Sequence, residues 1–175
     1  MDFLELAKNR YSERRFSGER VNLQDVNRIL EAGRQAPSCV NKQCTRVVVI
    51  DDNDELERLD SCTRFRFGAA LSLCVCYDTH SEWEQRTLGG YGKVDTSIAM
   101  TQMMYEAESL GYGTLIVAGF DEERLRELLK LPDDIVPVML LMVGCRSEQS
   151  TPARLHFERM QLSETVSHGV YGNPW

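Results

Sequence analysis

Asn9-Arg10-Tyr11-Ser12-Glu13-Arg14-Arg15-Phe16 is the stretch that most constrains the fold of this chain. It places three guanidinium groups and a hydroxyl close together in an otherwise acidic sequence. Arg10, Ser12 and Arg14 alternate, so an extended backbone would direct all three side chains to the same side. Arginine presents a planar fork of donors that matches phosphate oxygens. The spacing therefore predicts a site for one phosphate group, and a solvated basic turn after a first helix is the alternative.

Composition limits the class of protein. The 175 residues fit one domain, residues 1–175, with 42% apolar and 27% charged residues. The formal net charge of -7 argues against nucleic acid as a partner, because phosphate backbones favour basic surfaces. No apolar run approaches the roughly 20 residues needed to cross a bilayer, so no membrane association is expected. With no secretion signal apparent, we expect a cytoplasmic protein.

The six cysteines are expected to be free thiols. None are spaced Cys-x-x-Cys and the three histidines lie far apart, so no metal site is predicted. Cys74 and Cys76 alternate in an apolar run and should point to one face of a strand. A redox pair is possible there, but buried cysteine commonly acts as a small apolar residue, and we favour that interpretation.

Two further motifs lie downstream. Ala36-Pro37-Ser38-Cys39-Val40-Asn41-Lys42-Gln43 ends a helix and leads directly into the apolar strand Arg46-Val47-Val48-Val49-Ile50. The second motif is the glycine-rich run from Gly111 to Asp121. It is not a dinucleotide fingerprint, because Ile116 stands where the third glycine is required and the run follows a helix instead of a strand.

The order and spacing of these three motifs resemble the nitroreductase family of FMN-dependent oxidoreductases. The resemblance implies an α+β fold with a central mixed or antiparallel sheet flanked by helices, in a single nitroreductase-like domain. It also implies a homodimer in which each C-terminal extension is exchanged with the partner. The polar tail after Cys145, with scattered Val166, Val170, Tyr171 and Trp175, cannot form a core alone and agrees with that expectation.

The resemblance further implies tightly bound FMN, reduced by NADH or NADPH and oxidised by a small organic acceptor such as a nitroaromatic or quinone. The implied cofactor-binding residues are Arg10, Ser12, Arg14, Pro37, Ser38, Asn41, Gln43, Ala118, Gly119 and Arg159. Within this set, Pro37, Ser38 and Asn41 would come from the other subunit, with Gln43 a less certain member. No catalytic acid or base is predicted, because the flavin carries the chemistry.

One departure concerns the phosphate. The family often has a second basic residue two places before the late arginine, but here that position is Phe157, and Arg154 or Arg15 would have to compensate. Two rival functions stay open: a flavin-binding or redox-sensing protein without turnover, and a structural homodimer that has lost the cofactor.

The remaining pattern predicts the secondary structure. Helices are expected over residues 2–9, from Asn22 to just before Pro37, and after a cap at Asp121. Strands are expected over about 69–77 and 136–143, with a long central helix between them that begins at Asp95 or Thr96. Gly111 should end that helix as a left-handed cap.

Overall fold

The computed structural model describes residues 2–175, and it contains one four-stranded antiparallel sheet between two layers of helices. The sheet has the order β1 (Thr45–Ile50), β2 (Leu71–Asp78), β6 (Ile135–Gly144) and β5 (Gly113–Val117). All three strand pairs are antiparallel. A short hairpin, β3 (Glu84–Gln85) with β4 (Gly89–Gly90), stands apart from the sheet. The predicted α+β class with an antiparallel central sheet is confirmed.

The helices follow their sequence signals closely. They are α1 (Phe3–Asn9), α2 (Leu23–Arg34), α3 (Asn53–Leu59), α4 (Gly92–Ser109), α5 (Glu122–Leu129) and α6 (Leu162–Thr165). Asn22 caps α2 by accepting from the backbone N–H of Gln24, and Asp121 caps α5 by accepting from that of Arg124. Gly111 follows α4 with φ of +92°, as a left-handed cap requires.

The start of α4 differs from the prediction. The helix begins at Gly92, three residues before Asp95, and Asp95 lies buried in its first turn. A Cβ at position 92 would stand 2.1 Å from the ring of Tyr77, so only glycine fits where the helix meets β2. The side chain of Asp95 does not cap its own helix; it binds another loop, as described below.

Alternation along β2 divides the core between the two faces of the sheet. Cys74 and Cys76 pack with the α3 and α5 layer, whereas Leu71, Leu73 and Val75 pack with α2 and α4. The two sulfur atoms lie 3.6 Å apart, both thiols are free, and both side chains are fully buried. The predicted common face is therefore confirmed, and these cysteines occupy the position of small apolar core residues.

The C-terminal segment buries almost nothing on its own chain. Residues 157–175 are all exposed, including the apolar side chains of Val170, Tyr171 and Trp175. The outward side of α4 is also apolar, with Val94 and Ile98 exposed beside Thr101. The chain thus presents two apolar surfaces that its own fold leaves uncovered.

Candidate functional site

A basic cleft forms where the N-terminal stretch meets the start of the C-terminal segment. Arg10, Ser12, Arg14 and Arg159 line a cavity of about 440 Å³. The rest of its wall is made by Tyr11, Ala153, Leu155 and His156. The backbone around Ser12 is extended and pairs in parallel with Thr114, so the predicted alternation does direct the three N-terminal side chains into one space. Three guanidinium groups around such a volume suit a phosphate group.

Glu13 fixes the backbone of this stretch. Its side chain is only 1% exposed, and its Oε1 accepts hydrogen bonds from the backbone N–H groups of Arg14 (2.9 Å) and Arg15 (2.7 Å). The Glu13 N–H in turn donates to the carbonyl of Thr114 at 2.8 Å. A buried carboxylate thus folds the chain so that the neighbouring arginine side chains face outward.

A second layer of charge lies beneath Glu13. The Arg146 guanidinium pairs with Glu108 at 2.5 Å, and its Nε, which is buried, lies 3.5 Å from Oε2 of Glu13. Its Cζ stands 5.1 Å from the centre of the Tyr11 ring. Burial raises the pKa of Glu108, while the hydroxyl of Thr114 and the charge of Arg146 act in the opposite direction. This network ties β5, α4 and the segment just after β6 to the floor of the basic cleft.

An apolar cleft adjoins the basic one through Arg14. It has a volume of about 250 Å³ and is lined by Arg14, Phe65, Phe67 and the end of β5 from Leu115 to Gly119. A Cβ at Gly119 would stand 2.9 Å from the Phe65 ring, so the absence of a side chain keeps this space open. Thr63 holds the turn in place by donating its hydroxyl to the Gly119 carbonyl at 2.7 Å.

The loop after α2 lies elsewhere on the same chain. Pro37, Ser38 and Gln43 line a separate cavity of about 200 Å³, and Asn41 is exposed in the adjoining 3₁₀ turn (Cys39–Asn41). Neither of the two clefts described above includes any of these four residues in its lining. Within one chain, the implied site is therefore divided into two parts.

That loop has an unusual backbone. Val40, Asn41 and Gln43 have φ values of 51°, 56° and 50°, in the left-handed region that a β-branched residue such as Val40 rarely adopts. Asp95 restrains it by accepting from the backbone N–H of Cys39 at 2.9 Å. The Ser38 hydroxyl accepts from the Gln43 N–H, also at 2.9 Å. Strain held by buried contacts is typical of functional loops.

Asp95 also faces the thiol of Cys44, whose Sγ lies 3.6 Å from a carboxylate oxygen. Burial and the charge of Asp95 raise the pKa of Cys44 to about 11. The thiols of Cys39 and Cys44 are consequently both protonated at neutral pH, since burial and Asp95 also raise the pKa of Cys39.

The comparisons with known proteins agree with this geometry. The Nitroreductase family model matches residues 7–66 and 65–145, which is well over half of the chain. The chain belongs to the nitroreductase family. A crystal structure of a nitroreductase family protein from Clostridium difficile 630 is 32% identical, with a TM-score of 0.90 over 97% of this chain and 99% of that one.

Two curated relatives of this chain have names that describe oxidoreductases. A Methanothermobacter thermautotrophicus protein, named provisionally as an NADH dehydrogenase or NAD(P)H nitroreductase, is 26% identical over 172 residues, covering 91% of this chain and 88% of the relative. A Staphylococcus aureus NADPH-dependent oxidoreductase is 26% identical over 184 residues, covering 95% of this chain and 72% of the relative. These names agree with the expectation of an oxidoreductase enzyme.

The structure brings Arg10, Ser12, Arg14 and Arg159 together in the lining of one cleft, although Arg159 is almost 150 positions from the N-terminal stretch. Neither residue proposed to compensate for Phe157 contributes to the cleft lining. Arg154 is ion-paired with Glu158, and the guanidinium of Arg15 donates to the Gln149 carbonyl at 3.2 Å.

The sequence did not indicate a functional role for Glu13 or for its partners Glu108 and Arg146. An acidic residue between arginines looks like an ordinary solvated charge, and nothing in its spacing indicates burial. Gly113 makes room for this cluster in the folded structure, because a Cβ there would stand 2.8 Å from Cγ of Glu13 and 3.0 Å from Cγ of Arg146. In the described residues, no group of three or more His, Cys, Asp and Glu side chains could hold a metal ion. No helix in residues 2–175 is both long and apolar enough to span a bilayer.

Proposed function

We propose that this protein is an FMN-dependent oxidoreductase that passes electrons from NADH or NADPH to a small organic acceptor such as a nitroaromatic or quinone. The observation that supports this most strongly is the pair of adjoining clefts, one with three guanidinium groups and one lined by apolar and small residues. FMN carries a phosphate on a chain that leads to a planar, largely apolar ring, so its two ends match the two clefts. Arg14 lines both clefts and would contact the cofactor near their junction.

The residues have distinct roles in this proposal. Arg10, Ser12, Arg14 and Arg159 bind the phosphate end, and the backbone at Ala118 and Gly119 lies along the ring. Hydride acceptance from nicotinamide and electron delivery to an acceptor are the chemistry that FMN supplies when bound. The protein would position the ring, Phe65 and Phe67 would help to exclude water from the apolar cleft, and the two substrates would use the site in turn.

We also propose that the active form is a homodimer with tightly held flavin at the interface. The loop containing Pro37, Ser38, Asn41 and Gln43 would then complete the site of a second copy, which explains why these residues are remote from the basic cleft in one chain. The exposed face of α4 and the uncovered C-terminal segment supply apolar surface for such an interface, with the segment exchanged between subunits.

The test begins with the absorption spectrum of freshly purified protein, followed by anaerobic titration with NADH and with NADPH. Bleaching of a bound flavin by either donor, with turnover when a quinone is added, is the expected result. A flavin that neither donor reduces would favour the flavin-binding or redox-sensing alternative. A colourless protein that takes up no added FMN would overturn the proposal and leave the structural homodimer.

The role of Arg14 is tested by the Arg14→Ala variant. Loss of one charge-assisted phosphate contact should weaken FMN binding by roughly tenfold or more at low salt, and the difference from wild type should shrink in high salt because the Arg14 contact is itself screened. Arg58→Ala, which removes an exposed arginine from α3, is the matched control. Flavin content after gel filtration measures both, and equal retention by the two variants would contradict the assigned role.

A further inference from the structure

His156 lies in the wall of the basic cleft, although it belongs to none of the sequence motifs described above. It is half-buried, whereas the other residues from Ala153 to Arg159 are all exposed. Its ring packs edge-on against Tyr11, with centroids 6.0 Å apart, and against Phe157 at 4.8 Å. These contacts hold the imidazole in the wall of the cleft, which also includes Arg10, Arg14 and Arg159.

The two other arginines proposed to balance the phosphate charge, Arg15 and Arg154, make contacts outside the cleft. Arg154 is ion-paired with Glu158 and the Arg15 guanidinium donates to the Gln149 carbonyl, and neither residue lines the cleft. Phe157, where the family often has a second basic residue, is exposed and apolar. Imidazole is therefore the remaining side chain in the cleft lining that can add a positive charge to the three guanidinium groups. It is also the one lining group that ordinarily gains and loses its charge between about pH 5 and 8.

We propose that protonated His156 is a fourth cationic contact for the phosphate of the bound flavin nucleotide, so that FMN affinity depends on pH through this residue. The inference rests on the proposed function. If the inference holds, the positive charge of the phosphate site depends partly on pH. A lysine or arginine in the place of His156 would instead give a fixed charge.

The surrounding charges determine the direction of the effect. The guanidinium groups of Arg10, Arg14 and Arg159 oppose a fourth positive charge in the cleft. Glu13, behind Tyr11, is occupied by Ser150, Arg146 and backbone N–H groups, and Glu158 by Arg154, so neither carboxylate offsets that charge. A phosphate dianion does offset it. Bound FMN and the proton on His156 thus favour each other, and FMN affinity should fall as pH rises through the histidine range.

The experiment measures release of flavin from the loaded protein on serial dilution, by flavin fluorescence, between about pH 6.5 and 8.5. It compares the wild type with His156→Gln, His156→Arg and the control His80→Gln; His80 faces Asp134 at 3.6 Å, outside the cleft lining. Riboflavin, which has the same ring and no phosphate, is the second ligand. Any titration of the FMN phosphate itself is common to all variants and cancels in the comparison.

His156→Gln should weaken FMN binding roughly fivefold to tenfold at about pH 6.5, with the difference from wild type closing toward pH 8.5. His156→Arg, which carries a fixed positive charge, should bind FMN more tightly than wild type at the upper end of this range. Riboflavin affinity should be unchanged in every variant, and His80→Gln should follow wild type.

Parallel FMN profiles for wild type and His156→Gln would overturn the inference while leaving the proposed function intact. Equal losses of FMN and riboflavin affinity would also overturn it, by showing that His156 only supports the shape of the cleft. Failure of the wild type to bind FMN at all would refute the proposed function, and the inference would fail with it.

Discussion

Replacing Glu13 with alanine should strongly destabilise this protein. The side chain is 1% exposed, and its Oε1 accepts from two backbone N–H groups at 2.9 and 2.7 Å. Its other oxygen accepts from the Ser150 hydroxyl and lies 3.5 Å from Nε of Arg146. All of these donors would be left without that acceptor in the variant.

The magnitude follows from those contacts. A hydrogen bond to a charged acceptor contributes about 1.5–3 kcal/mol, so loss of the two backbone bonds alone gives about 3–6 kcal/mol. Removing one partner of a buried ion pair costs about 3–5 kcal/mol by itself, and these overlapping terms are not additive. We expect a decrease of about 3–5 kcal/mol in the free energy of unfolding, a large part of the roughly 5–15 kcal/mol available to a domain.

Urea unfolding followed by circular dichroism measures this change through the midpoint, provided that the slope is unchanged. Glu127→Ala, which removes an exposed carboxylate from α5, is the control and should stay within about 0.5 kcal/mol of wild type. Glu13→Gln keeps the shape but places amide N–H groups or a neutral oxygen opposite Arg146, so it should be intermediate. A Glu13→Ala variant within about 1 kcal/mol of wild type would refute the view that this carboxylate fixes the loop.

Three other outcomes are expected. Gly113→Ala, whose new Cβ would stand 2.8 Å from Cγ of Glu13, should lower the free energy of unfolding by about 1–3 kcal/mol, and an unchanged melting temperature would contradict the packing described. The Ser81 hydroxyl, followed by the His80 N–H and the charge of Arg46, lowers the pKa of Asp78 against a smaller effect of burial. Its contribution to stability is therefore present above the unfolded pKa of about 3.9 and lost as pH falls through the lower folded value. Urea unfolding of Asp78→Asn should consequently show a smaller acid-induced loss than wild type; identical losses would exclude this contribution. Under native conditions a disulfide reagent should modify only the partly exposed Cys39 and Cys145, slowly because burial raises the pKa of both thiols, and fast labelling of all six would contradict the observed burial.

The arrangement of the basic cleft could be predicted in part from the sequence. The alternation of Arg10, Ser12 and Arg14 has a local cause, because an extended backbone directs every second side chain to one side. The meeting of this stretch with Arg159 came from the family resemblance and not from any local pattern. The caps at Asn22 and Asp121 were equally predictable, since capping depends on neighbours two or three residues away.

The buried charges could not be predicted in the same way. Glu13, Glu108 and Arg146 come together from three distant parts of the chain, and only the tertiary fold decides that they are buried. The predicted start of α4 was wrong for a related reason. Gly92 is a poor helix former, but its lack of a side chain allows the Tyr77 ring to pack there. Local propensity gave way to packing in that case.

The position of Arg159 has a thermodynamic consequence. This arginine helps to form the basic cleft, yet it belongs to a segment in which residues 157–175 are all exposed on their own chain. In the proposed homodimer, an anion held by Arg159 would favour docking of the segment on the partner, and the partner surface would by reciprocity raise the affinity of the cleft for the anion. Occupancy of the cleft and docking of the last twenty or so residues would then be two readouts of one linked equilibrium.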